Sequence, residues 1–201
     1  MGGDGQLIIP RMEEKMKNTT ALLIIDAQTG IIEGPPAGPV YNKENLLGTL
    51  KEVLKNARNQ DIPVIYVQDT DVGGEESLQF QVHPEIAPLA EELTFHKKAT
   101  DSFHGTGLNK ALQNLGIQHL VIMGCKTEYC IDTACRRATT LGFDVTLVRG
   151  GHSTTDNTVL KAGQIVAHHN EHLHGLSNLE NFIMVRDSSD DLFEHKHSAY
   201  K

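Results

Sequence analysis

The sequence predicts a three-layer α/β/α domain built on a mainly parallel, six-stranded sheet, and three observations predict it. Strand-like and helix-like stretches alternate from one end to the other, the pattern of parallel strands joined by crossover helices. The strand-like stretches are unbroken apolar runs, as expected of strands covered on both faces. Aromatic residues are only 5% of the chain and Trp is absent, so the core must be aliphatic. With 201 residues the chain suits one domain and can bury a core large enough to need no disulfide or metal staple.

Residues 1–17 are glycine-bearing and then charged, without a period, and read as a leader; residues 18–201 read as the single domain. Ala21-Leu22-Leu23-Ile24-Ile25 is the first strand and runs into Asp26. Gly34-Pro35-Pro36 and Gly38-Pro39 break the chain. Leu46, Leu47, Leu50, Val53, Leu54 and Ala57 recur at three- and four-residue steps, predicting an amphipathic helix over 44–60. Residues 63–67 are the second strand. A polar stretch over 68–91 reads as a surface excursion, the kind of long loop that usually carries function. Residues 93–96 form a short strand, and Leu108, Leu112 and Leu115 mark a helix closed by Gly116. Strands follow at 119–123, 145–148 and 182–185, separated by helices over 129–141 and 159–174, closed by Gly142 and Gly175.

The formal net charge of −8 and the lack of a long Lys/Arg run argue against nucleic acid as a partner. No apolar stretch reaches the roughly 20 residues of a membrane span, and no signal peptide is visible. The three cysteines, Cys125, Cys130 and Cys135, fall within eleven residues with no second cluster to pair with, which argues for a cytoplasmic protein over a disulfide scaffold.

In a parallel sheet, ligands bind beyond the carboxyl ends of the strands. That edge collects Asp26, then Gln68 and Asp69, then Lys97 and Lys98, then 124–130, then 152–156. Cys130 sits between a buried strand and a helix start, where backbone N–H groups and the helix dipole favour thiolate and can hold an oxyanion. A carboxylate within reach could take its proton. Placement alone leaves Cys130 open between a nucleophile and a small buried hydrophobe.

The order of motifs adds a resemblance. Ala21-Leu-Leu-Ile-Ile-Asp26-Ala-Gln28, Lys97-Lys-Ala-Thr-Asp-Ser-Phe103-His-Gly-Thr106-Gly-Leu108, Val121-Ile-Met-Gly124-Cys-Lys-Thr127-Glu-Tyr-Cys130-Ile-Asp-Thr133-Ala and His152-Ser-Thr-Thr-Asp156 follow one another at the spacing of the isochorismatase-like cysteine hydrolases. The chain resembles that family, which includes nicotinamidases, N-carbamoylsarcosine amidase and biuret and ureidoacrylate hydrolases, over residues 20–185. The resemblance implies a Rossmann-like fold and an Asp26–Lys97–Cys130 triad. Lys97 is preferred to its neighbour Lys98 because the family's lysine stands six residues before the phenylalanine matched by Phe103. The resemblance further implies a cis peptide between Cys125 and Lys126, with the N–H groups of Lys126 and Cys130 as the oxyanion hole. The activity it implies is cleavage of a C–N bond in a small amide, carbamoyl or ureide substrate, without a cofactor, in a dimer or tetramer.

Gln28, Phe103 and Tyr129 are candidate pocket residues. No metal is expected, because the Asp-x-His motif of the family's nicotinamidases is interrupted: Asp69-Thr70-Asp71 is followed by no histidine before His83, which reads as structural or pocket-rim. Cys125 and Cys135, spaced five residues on either side of Cys130, fit neither a CxxC pair nor a zinc finger. His168 and His172 share a helix face, but His169 stands where an HExxH motif needs glutamate; the group from His168 to His174 reads as helix surface or subunit contact. Three rivals to the amide reading are a vinyl ether hydrolase, which needs no thiol, a thiol redox protein, which should carry a CxxC pair the chain lacks, and a non-catalytic nucleotide-binding module. The last should carry a glycine-rich turn where Asp26-Ala27-Gln28-Thr29-Gly30 stands.

Overall fold

A computed structural model describes residues 18–34 and 38–200; the leader expected over 1–17 and the Pro35-Pro36 break lie outside the described residues. The strands are β1 (Thr20–Ile25), β2 (Val64–Asp69), β3 (Leu93–Lys97), β4 (His119–Cys125), β5 (Asp144–Ser153), β6 (Ser177–Asn178) and β7 (Asn181–Asp187). They form one sheet in the order β3-β2-β1-β4-β5-β7-β6. All neighbours are parallel except β6, which pairs with β7 antiparallel. The sheet therefore has seven strands and not six, and the extra one is the two-residue β6. A two-residue strand has no periodicity to read, so it escapes sequence inspection.

The helices are α1 (Thr29–Ile32), α2 (Lys43–Asn59), α3 (Leu108–Asn114), α4 (Asp132–Thr140) and α5 (Ala162–Leu173). Every residue of β1 and β4 is buried. Ala21, Leu23 and Ile25 point to one face with Leu108 and Leu112 of α3 and Ala134, Cys135 and Ala138 of α4. Leu22 and Ile24 point to the other, against Leu46, Leu50, Val53 and Leu54 of α2. This two-sided covering is why those strands read as continuous apolar runs. Among the described residues no helix is long and apolar enough to cross a membrane.

Three boundaries moved for local reasons. The helix expected over 159–174 starts only at Ala162. The Asn157 side chain accepts the N–H groups of Val159 (2.8 Å) and Leu160 (2.7 Å), and Asp156 Oδ1 accepts that of Ala162 (2.9 Å), holding 157–161 in a turn. The helix expected from residue 129 begins as a π-turn, Thr127–Ile131, with the Ile131 N–H bonded to the Lys126 carbonyl five residues back, before continuing as α4. β5 is ten residues long and keeps pairing past Gly150-Gly151 through a register shift against β4, so His152 and Ser153 end the strand instead of following it.

Gly124 is required at the β1–β4 contact. A Cβ there would lie 1.9 Å from the Ile25 carbonyl oxygen, and its φ of 131° is one that side chains rarely adopt. The absence of a side chain lets the last turn of β4 close against the end of β1, just where Asp26 begins.

Candidate active site

Four side chains from four strand ends meet at the carboxyl edge. Asp26 is the first residue after β1, in the left-handed region at φ 50°, with its N–H bonded to the Val67 carbonyl at 2.8 Å. Asp69 and Lys97 end β2 and β3 and are register partners in the sheet. Cys130 stands in the π-turn after β4, on the far side of β1. The Lys97 side chain spans the gap. Its Nζ lies 2.7 Å from Asp69 Oδ2, 2.9 Å from Asp26 Oδ2 and 3.4 Å from Cys130 Sγ. Lys97 and Asp26 are buried, whereas the Asp69 side chain is 21% exposed and forms the solvent-reached side of the cluster. Lys98 is exposed.

Burial dominates the electrostatics. Loss of solvent raises the Asp26 carboxyl from 3.8 to about 6 even though Lys97 pulls it down. The Lys97 ammonium is opposed by burial, but Asp26, Asp69 and Cys130 together hold it above the ordinary lysine range. Burial, and then the neighbouring Asp26 charge, push the Cys130 thiol up to about 12 against the pull of Lys97. The sulfur therefore rests as a thiol. The helix start favours thiolate, but desolvation beside a carboxylate opposes it. The Asp26 carboxyl hydrogen-bonds with the Cys130 side chain, and its Oδ1 is buried without a hydrogen-bond partner among the described residues.

Asp26, Asp69 and Cys130 each offer a donor atom within 4.8 Å of the others, the arrangement of a cation site. The Lys97 ammonium touches all three and takes the cation's place. The peptide bond between Cys125 and Lys126 is cis. Lys126 caps the π-turn and sends its Nζ to Thr155 Oγ1 at 3.2 Å.

The three expected pocket residues divide. Tyr129, next to Cys130 in the chain, is 56% exposed. Gln28 does not face a pocket: it is fully buried, its Nε2 donates to the Asp69 carbonyl (3.0 Å) and its Oε1 accepts the Asp69 N–H (2.8 Å). It is a strut that fixes the end of β2. Phe103, 8% exposed in the same core cluster as Cys130, stacks on Phe143 with ring centroids 6.3 Å apart. An amide and an aromatic ring suit a pocket or a core equally by composition, and only packing separates the two.

His83 is buried, bonded to Glu33 Oε1 at 3.2 Å and capping the 3₁₀ turn Pro84–Ile86. Cys125 and Cys135 are free and buried. His168 and His172 are exposed on α5, their rings stacked 5.4 Å apart.

Two residues gain roles that sequence reasoning did not give them. Asp69 was placed at the edge, but its pairing with Lys97 depends on β2 and β3 being neighbours. His152 lies in a quoted motif; its Nδ1 pairs with Thr127 Oγ1 (2.9 Å) and its Nε2 with Asn170 Oδ1 (3.0 Å), tying the π-turn to α5. Burial lowers His152 to about 4, so the ring is neutral.

Residues 20–188 match the family model of the isochorismatase domain. The isochorismatase family protein YddQ of Bacillus subtilis (strain 168) is 31% identical over 145 residues, 68% of this chain and 79% of that protein. Streptothricin hydrolase of Streptomyces noursei is 29% identical over 68% of this chain, and the match spans 50% of its length. The crystal structure of an isochorismatase from Pseudomonas putida KT2440 superposes with a TM-score of 0.77 at 27% identity, covering 86% of this chain and 89% of that one.

Proposed function

Because the chain belongs to the isochorismatase family, and its relatives there include a hydrolase and an amidohydrolase, we propose that it hydrolyses a C–N bond of a small carboxamide, carbamoyl or ureide substrate through a thioester acyl-enzyme. The observation that carries this reading is the convergence of Lys97 Nζ on Asp26 (2.9 Å) and Cys130 (3.4 Å) at one edge of the sheet. A relative named ureidoacrylate amidohydrolase RutB, from Klebsiella pneumoniae and 28% identical over 57% of this chain, supports amide chemistry in this family.

The cycle follows from the resting charges. Asp26, ionised beside Lys97, accepts the Cys130 proton as the sulfur attacks the substrate carbonyl, so no free thiolate accumulates. Lys97 stays charged throughout and offsets the negative charge as it moves from carboxylate to sulfur to substrate oxygen. The tetrahedral oxyanion is received by the backbone N–H groups of Lys126 and Cys130. Ammonia or an amine leaves with the proton from Asp26, giving the thioester. Asp26 then takes a proton from water, hydroxide adds to the thioester carbon, and the departing sulfur recovers that proton as the acid is released. We assign the enzyme to the cytoplasm, where its free cysteines stay reduced.

The test is ammonia or amine release from a panel of small amides, carbamoyl compounds and ureides, with mass spectrometry of the quenched enzyme. Wild type is expected to release amine and to carry an acyl adduct on Cys130, and Cys130→Ala to do neither. Turnover by Cys130→Ala at the wild-type rate rejects the thioester route and favours a thiol-independent reaction such as vinyl ether hydrolysis.

A further inference from the structure

A second cluster of metal-binding side chains lies at the opposite end of the sheet. Asp144 opens β5, and the terminal segment brings His195 and His197 against it; each of the three offers a donor atom within 4.8 Å of the others. We propose that Asp144, His195 and His197 form a divalent transition-metal site of the zinc type that pins the terminal segment to the amino edge of the sheet.

The surroundings orient each donor. His197 Nε2 donates to the Val145 carbonyl at 2.9 Å, and since a carbonyl only accepts, the neutral ring carries its lone pair on Nδ1. A backbone carbonyl on the far nitrogen is the usual outer partner of a metal-bound imidazole. Asp144 Oδ1 accepts the Phe182 N–H (3.2 Å) and the Asn181 amide (3.1 Å), which leaves Oδ2 facing the histidines. His195 Nε2 stands 2.8 Å from that oxygen, and its side chain is 24% exposed, giving an ion a way in. The metal would replace the proton shared between His195 and Asp144, with that proton moving to His195 Nδ1.

His119 is not a ligand. Thr20 Oγ1 donates to the Phe193 carbonyl (3.1 Å) and so receives His119 Nδ1–H (3.1 Å), while His119 Nε2 accepts from Thr146 Oγ1 (2.8 Å). Its ring stacks on His195 with centroids 4.8 Å apart and fixes that ligand's plane. Two imidazoles and a carboxylate suit zinc, cobalt or nickel better than magnesium or calcium.

The test uses the full chain with Cys130→Ser as background, so that the active-site sulfur binds nothing, after removal of metals with a chelator. Zinc titration by calorimetry and thermal unfolding is expected to show one ion per chain and a Tm rise of about 5 °C or more at a hundredfold excess over Kd. Cobalt(II) should give the intense visible bands of a tetrahedral site. His195→Gln, at a partly exposed position that folding should tolerate, is expected to weaken zinc binding at least tenfold and to abolish those bands. His168→Gln/His172→Gln, which removes the exposed pair on α5, is expected to bind as the background does. Absence of zinc binding, unchanged affinity in His195→Gln, or loss of binding only in the α5 variant would each overturn the proposal.

Discussion

Lys97 illustrates how much depends on single side chains. A buried ammonium is tolerated only with compensating charge, and here two carboxylates supply it. Lys97→Met removes that compensation and leaves Asp26 buried without a counter-ion; activity should fall at least a thousandfold, with a lower Tm by thermal unfolding. The pH dependence follows from Asp26. It must be ionised to accept the thiol proton, so kcat/KM on the free enzyme should climb with pH and level off above a midpoint near 6. A profile flat from pH 5 to 8, roughly the range over which an unshifted carboxylate would already be ionised, would contradict that role. The same shift bears on stability. The folded pKa lies above the unfolded 3.8, so this contribution is full below the unfolded value and is lost as pH rises through about 6. Asp26→Asn should therefore gain on wild type in Tm between pH 4 and pH 8, roughly the window bracketing the two values, while losing activity.

At the scale of elements, the nucleophile is held by a turn that is itself braced. His152 joins Thr127 at the start of the π-turn to Asn170 on α5, entirely inside the protein. His152→Ala strands two buried polar partners and should cost about 1–3 kcal/mol in denaturant unfolding, with kcat reduced more than KM is raised, because the turn and not the pocket loosens. The other brace is Gly124, where β4 meets the Ile25 carbonyl. Gly124→Ala places a methyl group on that oxygen, and loss of soluble folded protein on expression is the outcome to expect. Gln28 belongs with these braces, since its side chain closes both backbone groups of Asp69.

For the molecule as a whole, the parallel sheet separates two tasks. The strand carboxyl ends gather Asp26, Asp69, Lys97 and Cys130, while the amino ends carry the histidine–aspartate cluster that meets the terminal segment. Val159 at 83% and Leu160 at 39% are exposed apolar residues just before α5, and His168 and His172 are exposed on the helix itself. We propose this region as a contact between copies of the chain. Native mass spectrometry is expected to report two or four chains per particle, and a purely monomeric species at working concentration would remove the contact.

Much of this was legible in the linear chain. A continuous apolar run marks a doubly covered strand and parallel strands put their carboxyl ends on one edge, which placed Asp26, Lys97 and Cys130 together; the triad, and Lys97 over Lys98, came from the family resemblance. Tertiary structure decided what those rules do not reach. Strand order made Asp69 the partner of Lys97, packing turned Gln28 from a pocket candidate into a strut, and burial kept the sulfur protonated. The division has one physical cause: periodicity and turn chemistry act over a few residues and are written locally, whereas desolvation, charge pairing and register depend on which distant segments become neighbours.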